Sequence, residues 1–212
     1  MSAHAKLRET VCAAGASLFN RGLTHGSTGN ISVALPDGGW LMTPTGSSLG
    51  TLDPARLSQL DASSRLVDGD APTKEVFLHT IMYEKRPKTG AVVHLHSTHS
   101  VAVSCLEGID HANCLPPITA YYVMRIGSLP LVPYYPPGDA TLAQAVGALA
   151  GKHHAVLLAN HGPVVAGSSL AAAQDAVEEL EETARLFLML RNEKIRSLTP
   201  GQVDELRHRF PS

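Results

Sequence analysis

Ala91-Val92-Val93-His94-Leu95-His96-Ser97-Thr98-His99 is the stretch from which the rest of the chain is read. The run Ala91, Val92, Val93 follows the turn signal Pro87-Lys88-Thr89-Gly90 and reads as a buried strand. Side chains alternate across a strand, so His94 and His96 should emerge on one face, one rung apart. Two imidazoles so placed can share a cation, and His-x-His is a common half of a metal site. The remaining ligands must come from elsewhere in the chain.

Outward from this stretch, 212 residues suffice for one sizeable core, and no linker-like segment divides them, so residues 1–212 are expected to form a single domain. Apolar residues make up 44% and charged residues 17%, with a net charge of -2, which offers no basic field for nucleic acid. No apolar run approaches the roughly 20 residues needed to cross a bilayer, and no apolar signal region opens the chain. Cys12, Cys105 and Cys114 lack Cys-x-x-Cys spacing and read as reduced packing residues of a cytoplasmic protein. The sequence contains no Gly-x-Gly-x-x-Gly, Walker loop, Gly-x-Ser-x-Gly or helical His-Glu-x-x-His, so those chemistries have no support.

Upstream, residues 3 to about 20 carry a helical stripe (Leu7, Val11, Ala14, Leu18) stopped at Gly22. Gly26-Ser27-Thr28-Gly29-Asn30 then leads into a strand, with the small, hydroxyl-rich composition of an anion-binding loop; His25 beside it is a candidate substrate contact. Asp37-Gly38-Gly39 signals a hairpin between Ile31–Leu35 and Trp40–Thr43, after which Thr43-Pro44-Thr45-Gly46 repeats that composition. Asp53 before Pro54 is a capping pair, and residues 61–70 suggest a further hairpin edge. Pro72-Thr73-Lys74-Glu75 opens a helix whose first turn holds Glu75, where early amides, Thr73 and Lys74 suit a phosphate.

Downstream, Leu129–Val132 reads as a strand, residues 140 to about 150 as a helix, and His154–Ala159 as a buried strand ending at Asn160-His161-Gly162. That turn can present a third imidazole, His161, to the first two. Tyr122, Tyr134 and Tyr135 read as packing residues, and His153 and His154 receive no role. Ser169 through Arg191 is a long helix whose Glu178, Glu179, Glu181 and Glu182 read as a solvated face. Thr199-Pro200-Gly201-Gln202 is a capping-box start for a last helix.

Three histidines leave a divalent cation with open positions, as in catalytic sites; all-nitrogen ligation favours zinc, with Mn, Co or Ni as alternatives. With two phosphate-friendly loops and a carboxylate, such a site suits a phosphorylated hydroxyketone, whose adjacent oxygens the cation would chelate as a Lewis acid.

The motifs Gly26-Ser27-Thr28-Gly29-Asn30, Thr43-Pro44-Thr45-Gly46, Pro72-Thr73-Lys74-Glu75, His94-Leu95-His96 and Asn160-His161-Gly162 occur in the order seen in the class II aldolase/adducin family, which the chain resembles over nearly its whole length. The resemblance implies an α/β, three-layer αβα fold with a central antiparallel sheet flanked by helices, and a homotetramer with active sites at subunit interfaces. It implies that His94, His96 and His161 hold zinc, with Glu75 as an acid/base able to touch the metal. It places phosphate at Asn30, Thr45, Gly46, Thr73 and Lys74, and matches Tyr121 to a tyrosine contributed by a neighbouring subunit, with Tyr122 as the fallback. Two serines stand before the glutamate in the aldolases, where this chain has Thr73-Lys74. That departure, with the Leu115–Arg125 block, resembles the 3-oxo-tetronate 4-phosphate decarboxylases of four-carbon acid-sugar catabolism. Lys74 offers one more cation for a substrate carrying both carboxylate and phosphate. The implied reaction yields dihydroxyacetone phosphate and carbon dioxide through a metal-stabilised enediolate. A sugar-phosphate aldolase of the fuculose type is the alternative. A non-catalytic module like the adducin head would require lost ligands, and all four ligand-type residues are present.

Overall fold

The structure is a computed structural model and describes residues 3–136 and 138–210. Its centre is β5 (Ala91–His94), which pairs antiparallel with β1 (Asn30–Ala34) on one side and β8 (Gly162–Gly167) on the other. Among the described residues these belong to an eight-stranded sheet ordered β4-β3-β2-β1-β5-β8-β7-β6, completed by β2 (Trp40–Met42), β3 (Ser58–Leu60), β4 (Leu66–Asp68), β6 (Leu131–Val132) and β7 (Ala155–Leu158). Every neighbouring pair is antiparallel except β6–β7, so the central sheet is antiparallel as expected and becomes mixed only at one edge.

β5 is an unbroken apolar run because both of its faces are covered. Val93 packs with Val165 against α1 (Ala3–Asn20), α4 (Ala120–Arg125) and α6 (Leu170–Leu190), through Leu18, Tyr122, Val177 and Leu180. Val92 points the other way, with Val164 and Ala166, onto Leu78 and Met82 of α2 (Val76–Lys85) and Val146 of α5 (Thr141–Ala150). This two-sided covering is the expected three-layer arrangement. The register pairs Asn30 with His94 and Ser32 with Val92, which sends Asn30, Ser32 and His94 to the α2 face. The remaining helices are α3 (Thr98–Ser104) and α7 (Pro200–Arg209), whose Thr199–Gln202 capping box forms as read. No helix among the described residues is long and apolar enough to cross a membrane.

Several details differ from the sequence-based expectation. The strand ends at His94, so His96 stands in the segment beyond it, and Glu75 occupies the position before α2 rather than its first turn. Residues 120–125, left without an element in the sequence reading, form α4, capped by Thr119. Of the acidic run of α6 only Glu182 is solvated, beside Arg185, and the other three are engaged. Glu181 accepts hydrogen bonds from the backbone N–H groups of His99 and Ser100 and from the Ser100 hydroxyl, closing the N-terminus of α3. Glu178 pairs with Arg21, and Glu179 accepts from Thr119 and Thr183.

Candidate active site

Two regions far apart in sequence converge on one point. β5 supplies His94, the segment after it His96, and the turn between β7 and β8 His161. Nε2 of His94 and Nε2 of His161 each lie 3.1 Å from Nε2 of His96. The orientation of His94 is fixed from behind, because its Nδ1 lies 2.8 Å from the Pro163 carbonyl oxygen. A carbonyl only accepts, so Nδ1 carries the proton and Nε2 turns a bare lone pair to the centre. Zinc–nitrogen bonds of about 2.0–2.1 Å in a tetrahedron put neighbouring nitrogens roughly 3.3 Å apart, so this donor set fits such an ion closely.

Glu75 faces the same point, with Oε2 3.4 Å from His94 Nε2 and Oε1 3.3 Å from His161 Nε2. Burial opposes its charge, but His94, His161 and the Asn30 amide, which donates to Oε2 at 2.7 Å, outweigh burial and hold Glu75 well below the usual carboxylate range. Burial lowers His94, and burial with the neighbouring His94 and His161 pushes His96 down to about 3. A divalent cation requires bare imidazole nitrogens and an ionised carboxylate, and the shifts of His94, His96 and Glu75 run in that direction.

The His161 turn is held by close approach. Asn160 adopts φ 56°, and Gly162 lies so near β5 that a Cβ there would stand 2.2 Å from the Leu95 carbonyl oxygen. Leu95 sits between His94 and His96, so Gly162→Ala must push the His161 turn off the other two imidazoles. The expected cost is about 1–3 kcal/mol of stability, as for other overpacked sites. Thermal denaturation should show a lowered Tm together with weakened metal retention.

The centre forms the floor of a cleft of ≈ 860 Å³. Its walls bring together most residues singled out from the sequence: Asn30, Thr45, Gly46, Thr73 and Lys74. An isolated bridge between Pro44 and Pro72 sets those two loops side by side, with Thr45 N–H donating to the Ala71 carbonyl and Thr73 N–H to the Thr43 carbonyl. Those two amides are therefore spent, and an anion here meets hydroxyls, Gly46 and the Lys74 ammonium. The Thr73 hydroxyl oxygen accepts from Glu75 N–H, which leaves its own proton to donate. Asn30 is 6% exposed, and both ends of its amide are engaged, Nδ2 on Glu75 and Oδ1 on His79, which leaves only its second amide proton for an anion.

Tyr135 packs against the α2 side of the core as expected and also lines this cleft, while Tyr134, read as a packing residue, is exposed and lines it beside His25. Tyr122 is fully buried and donates to Asn113 Oδ1, so the fallback assignment to Tyr122 is withdrawn. Tyr121 does not border the cleft. It is 61% exposed on α4 and lines a separate ≈ 520 Å³ groove with His99, Arg125 and Glu181, whose charges are largely paired internally. His154, given no role, bonds the Arg125 carbonyl through Nε2, and His153 meets Ser128, so both are structural.

Sequence reasoning passed over His79, Ser32 and Tyr83. Glu75-x-x-x-His79-x-x-x-Tyr83 is a stripe at helical spacing, and Asn30-x-Ser32 one face of a strand, a signal visible only when both periods are read together.

Residues 9–188 match the family described as class II aldolase and adducin N-terminal domain. A 3-oxo-tetronate 4-phosphate decarboxylase of Escherichia coli is 54% identical over 201 residues, covering 95% of each chain. An L-fuculose phosphate aldolase of Methanocaldococcus jannaschii is 35% identical, covering 81% of this chain and 90% of the relative. The crystal structure of Escherichia coli YgbL superposes with a TM-score of 0.94 at 51% identity, covering 96% of this chain and 99% of that one.

Proposed function

The chain belongs to the class II aldolase and adducin N-terminal domain family and is a carbon–carbon lyase, and from that premise we propose that it decarboxylates a 3-oxo-tetronate 4-phosphate to dihydroxyacetone phosphate and carbon dioxide. The observation that carries the reading is the meeting of the three Nε2 atoms and Glu75 on the floor of a cleft whose rim carries Thr73 and Lys74. The relatives between 45% and 54% identical that are named for this reaction support it.

His94, His96 and His161 would hold zinc, with manganese, cobalt or nickel as alternatives and Glu75 within reach of the same ion. Such a cation supplies Lewis-acid charge for the oxygens of a 3-oxo acid. The residues do the rest. Thr45, Gly46, Thr73 and Lys74 seat the phosphate at the rim, and Asn30 contributes through its remaining amide proton. When the C1–C2 bond breaks, carbon dioxide leaves and the electron pair stays at C2, shared with the C3 carbonyl. One proton from solvent passes through a Glu75 oxygen to C2, which balances the reaction. Tyr121 from a neighbouring copy would complete the site in a homotetramer with its active sites between subunits. Tyr121→Phe should then lower kcat by roughly 10²-fold, as for a lost general acid. Unchanged rates would remove this tyrosine from the reaction.

Lys74→Ala should raise KM for the phosphorylated substrate by roughly 10–100-fold, because a charge-assisted hydrogen bond of about 1.5–3 kcal/mol is lost. Steady-state kinetics check this, and an unchanged KM would make Lys74 an ordinary exposed lysine.

The function itself is tested with the two candidate substrates side by side. Equimolar carbon dioxide and dihydroxyacetone phosphate from the 3-oxo acid supports decarboxylation. Dihydroxyacetone phosphate with an aldehyde from L-fuculose 1-phosphate, and no reaction with the 3-oxo acid, would make the enzyme an aldolase like its 35% identical relative.

A further inference from the structure

Behind Glu75 runs a chain of buried hydrogen bonds that the reaction as described does not use. Asn30 Nδ2 donates to Glu75 Oε2, and Asn30 Oδ1 meets His79 Nε2. His79 Nδ1 lies 2.7 Å from the Ser32 hydroxyl, which lies 2.9 Å from the Tyr83 hydroxyl. Ser32 and His79 are fully buried and Asn30 nearly so, so none of the three can exchange its partner for water.

The direction of every bond follows from the carboxylate. An ionised Glu75 only accepts, so Asn30 must present its NH2 group to it. The Asn30 oxygen then faces back and also only accepts, which requires the proton of His79 on Nε2. Nδ1 is thereby bare and takes the Ser32 proton, and the Ser32 oxygen takes that of Tyr83. All donors point toward Glu75. Reversing any one bond would set two donors or two acceptors face to face in a dry interior, costing about 1–3 kcal/mol for each group left unpaired. Burial pushes His79 down to about 3 and raises Tyr83 above its usual range, so both stay neutral and keep the polarity fixed.

We propose that His79 is a positioning residue: its Nε2–H, backed by Ser32 and Tyr83, locks the Asn30 amide with Nδ2 toward Glu75 and so holds the carboxylate in its reactive place. The proposal rests on the reading of Glu75 as the group that moves the proton. Without the His79 donor, Asn30 can turn over, putting its oxygen against the carboxylate and swinging Glu75 away from the imidazoles.

His79→Phe keeps the ring volume and removes the donor, whereas His79→Gln keeps a side-chain N–H at nearly the same reach. His79→Phe should lower kcat by roughly 10–100-fold, the usual loss for a residue that orients a reacting group. KM and metal content should stay near those of the parent, and His79→Gln should recover most of the loss. Wild-type kcat in His79→Phe, or equal loss in the Phe and Gln variants, overturns the assignment. Glu75→Gln measured in parallel separates the two levels: full turnover in that variant sinks the role of Glu75, while an inactive Glu75→Gln beside a fully active His79→Phe sinks only the positioning. Should His79→Phe fail to fold, imidazole nitrogen NMR of the unmodified protein decides. A neutral His79 protonated on Nε2 supports the relay, and protonation on Nδ1 overturns it.

Discussion

Replacing His96 by alanine should strip the protein of its divalent cation and of its turnover together. His96 is the imidazole common to both 3.1 Å approaches, so its removal leaves His94 and His161 with no third nitrogen between them. The Lewis-acid contribution of a bound cation amounts to several kcal/mol, so activity should fall by roughly 10³-fold or more. His96 is a cleaner target than His94, which is fully buried and tied to the Pro163 carbonyl, so that its removal would damage packing as well. Elemental analysis beside the coupled assay decides the matter. Full metal content with full rate would remove His96 from the site. Chelation of the parent followed by addition of zinc, manganese, cobalt or nickel should restore rates to different degrees and identify the preferred ion.

Glu75→Gln should retain fold and Tm yet lose about 10²–10⁴-fold in kcat, the range for a missing general acid or base. Glutamine has nearly the same volume, and Asn30 can still donate to its amide oxygen. What disappears is the charge that His94, His161 and Asn30 sustain against burial, and with it the ability to carry a proton to carbon. Single-turnover rates separate this from a loss of metal, since the three imidazoles are untouched. A variant that turns over at the normal rate would reassign the proton transfer.

Much of the site was legible before any coordinates. His94 and His96 stand two apart after an apolar run, a spacing that brings their nitrogens together across one intervening residue. His161 stands at an Asn-His-Gly turn whose tightness the glycine betrays. The motif order resembled that of a known family, and residues 9–188 match it. The reading erred where a side chain's fate depends on a distant partner. The acids of α6 looked solvated because their helix neighbours are polar, yet Glu181 closes the end of a helix that begins 83 residues earlier at Thr98 (181 − 98). Tyr135 packs as read, but nothing local announces the cleft that it and the exposed Tyr134 also line. Asn30 matched a phosphate position by its motif, and only the register that pairs it with His94 reveals that it also faces Glu75 and His79.

By itself, the sequence determined every helix but α4, most turns and caps, and the identity of the groups able to bind a cation, since these depend on periods of two or 3.6 residues and on nearby side-chain chemistry. Only the tertiary structure decided which face of β1 meets α2, that Pro44 lies against Pro72, and that Glu75 reaches His161. Those facts follow from the order β2-β1-β5-β8 in the sheet. Strand order is settled by the burial of whole faces, and no short stretch of residues encodes it.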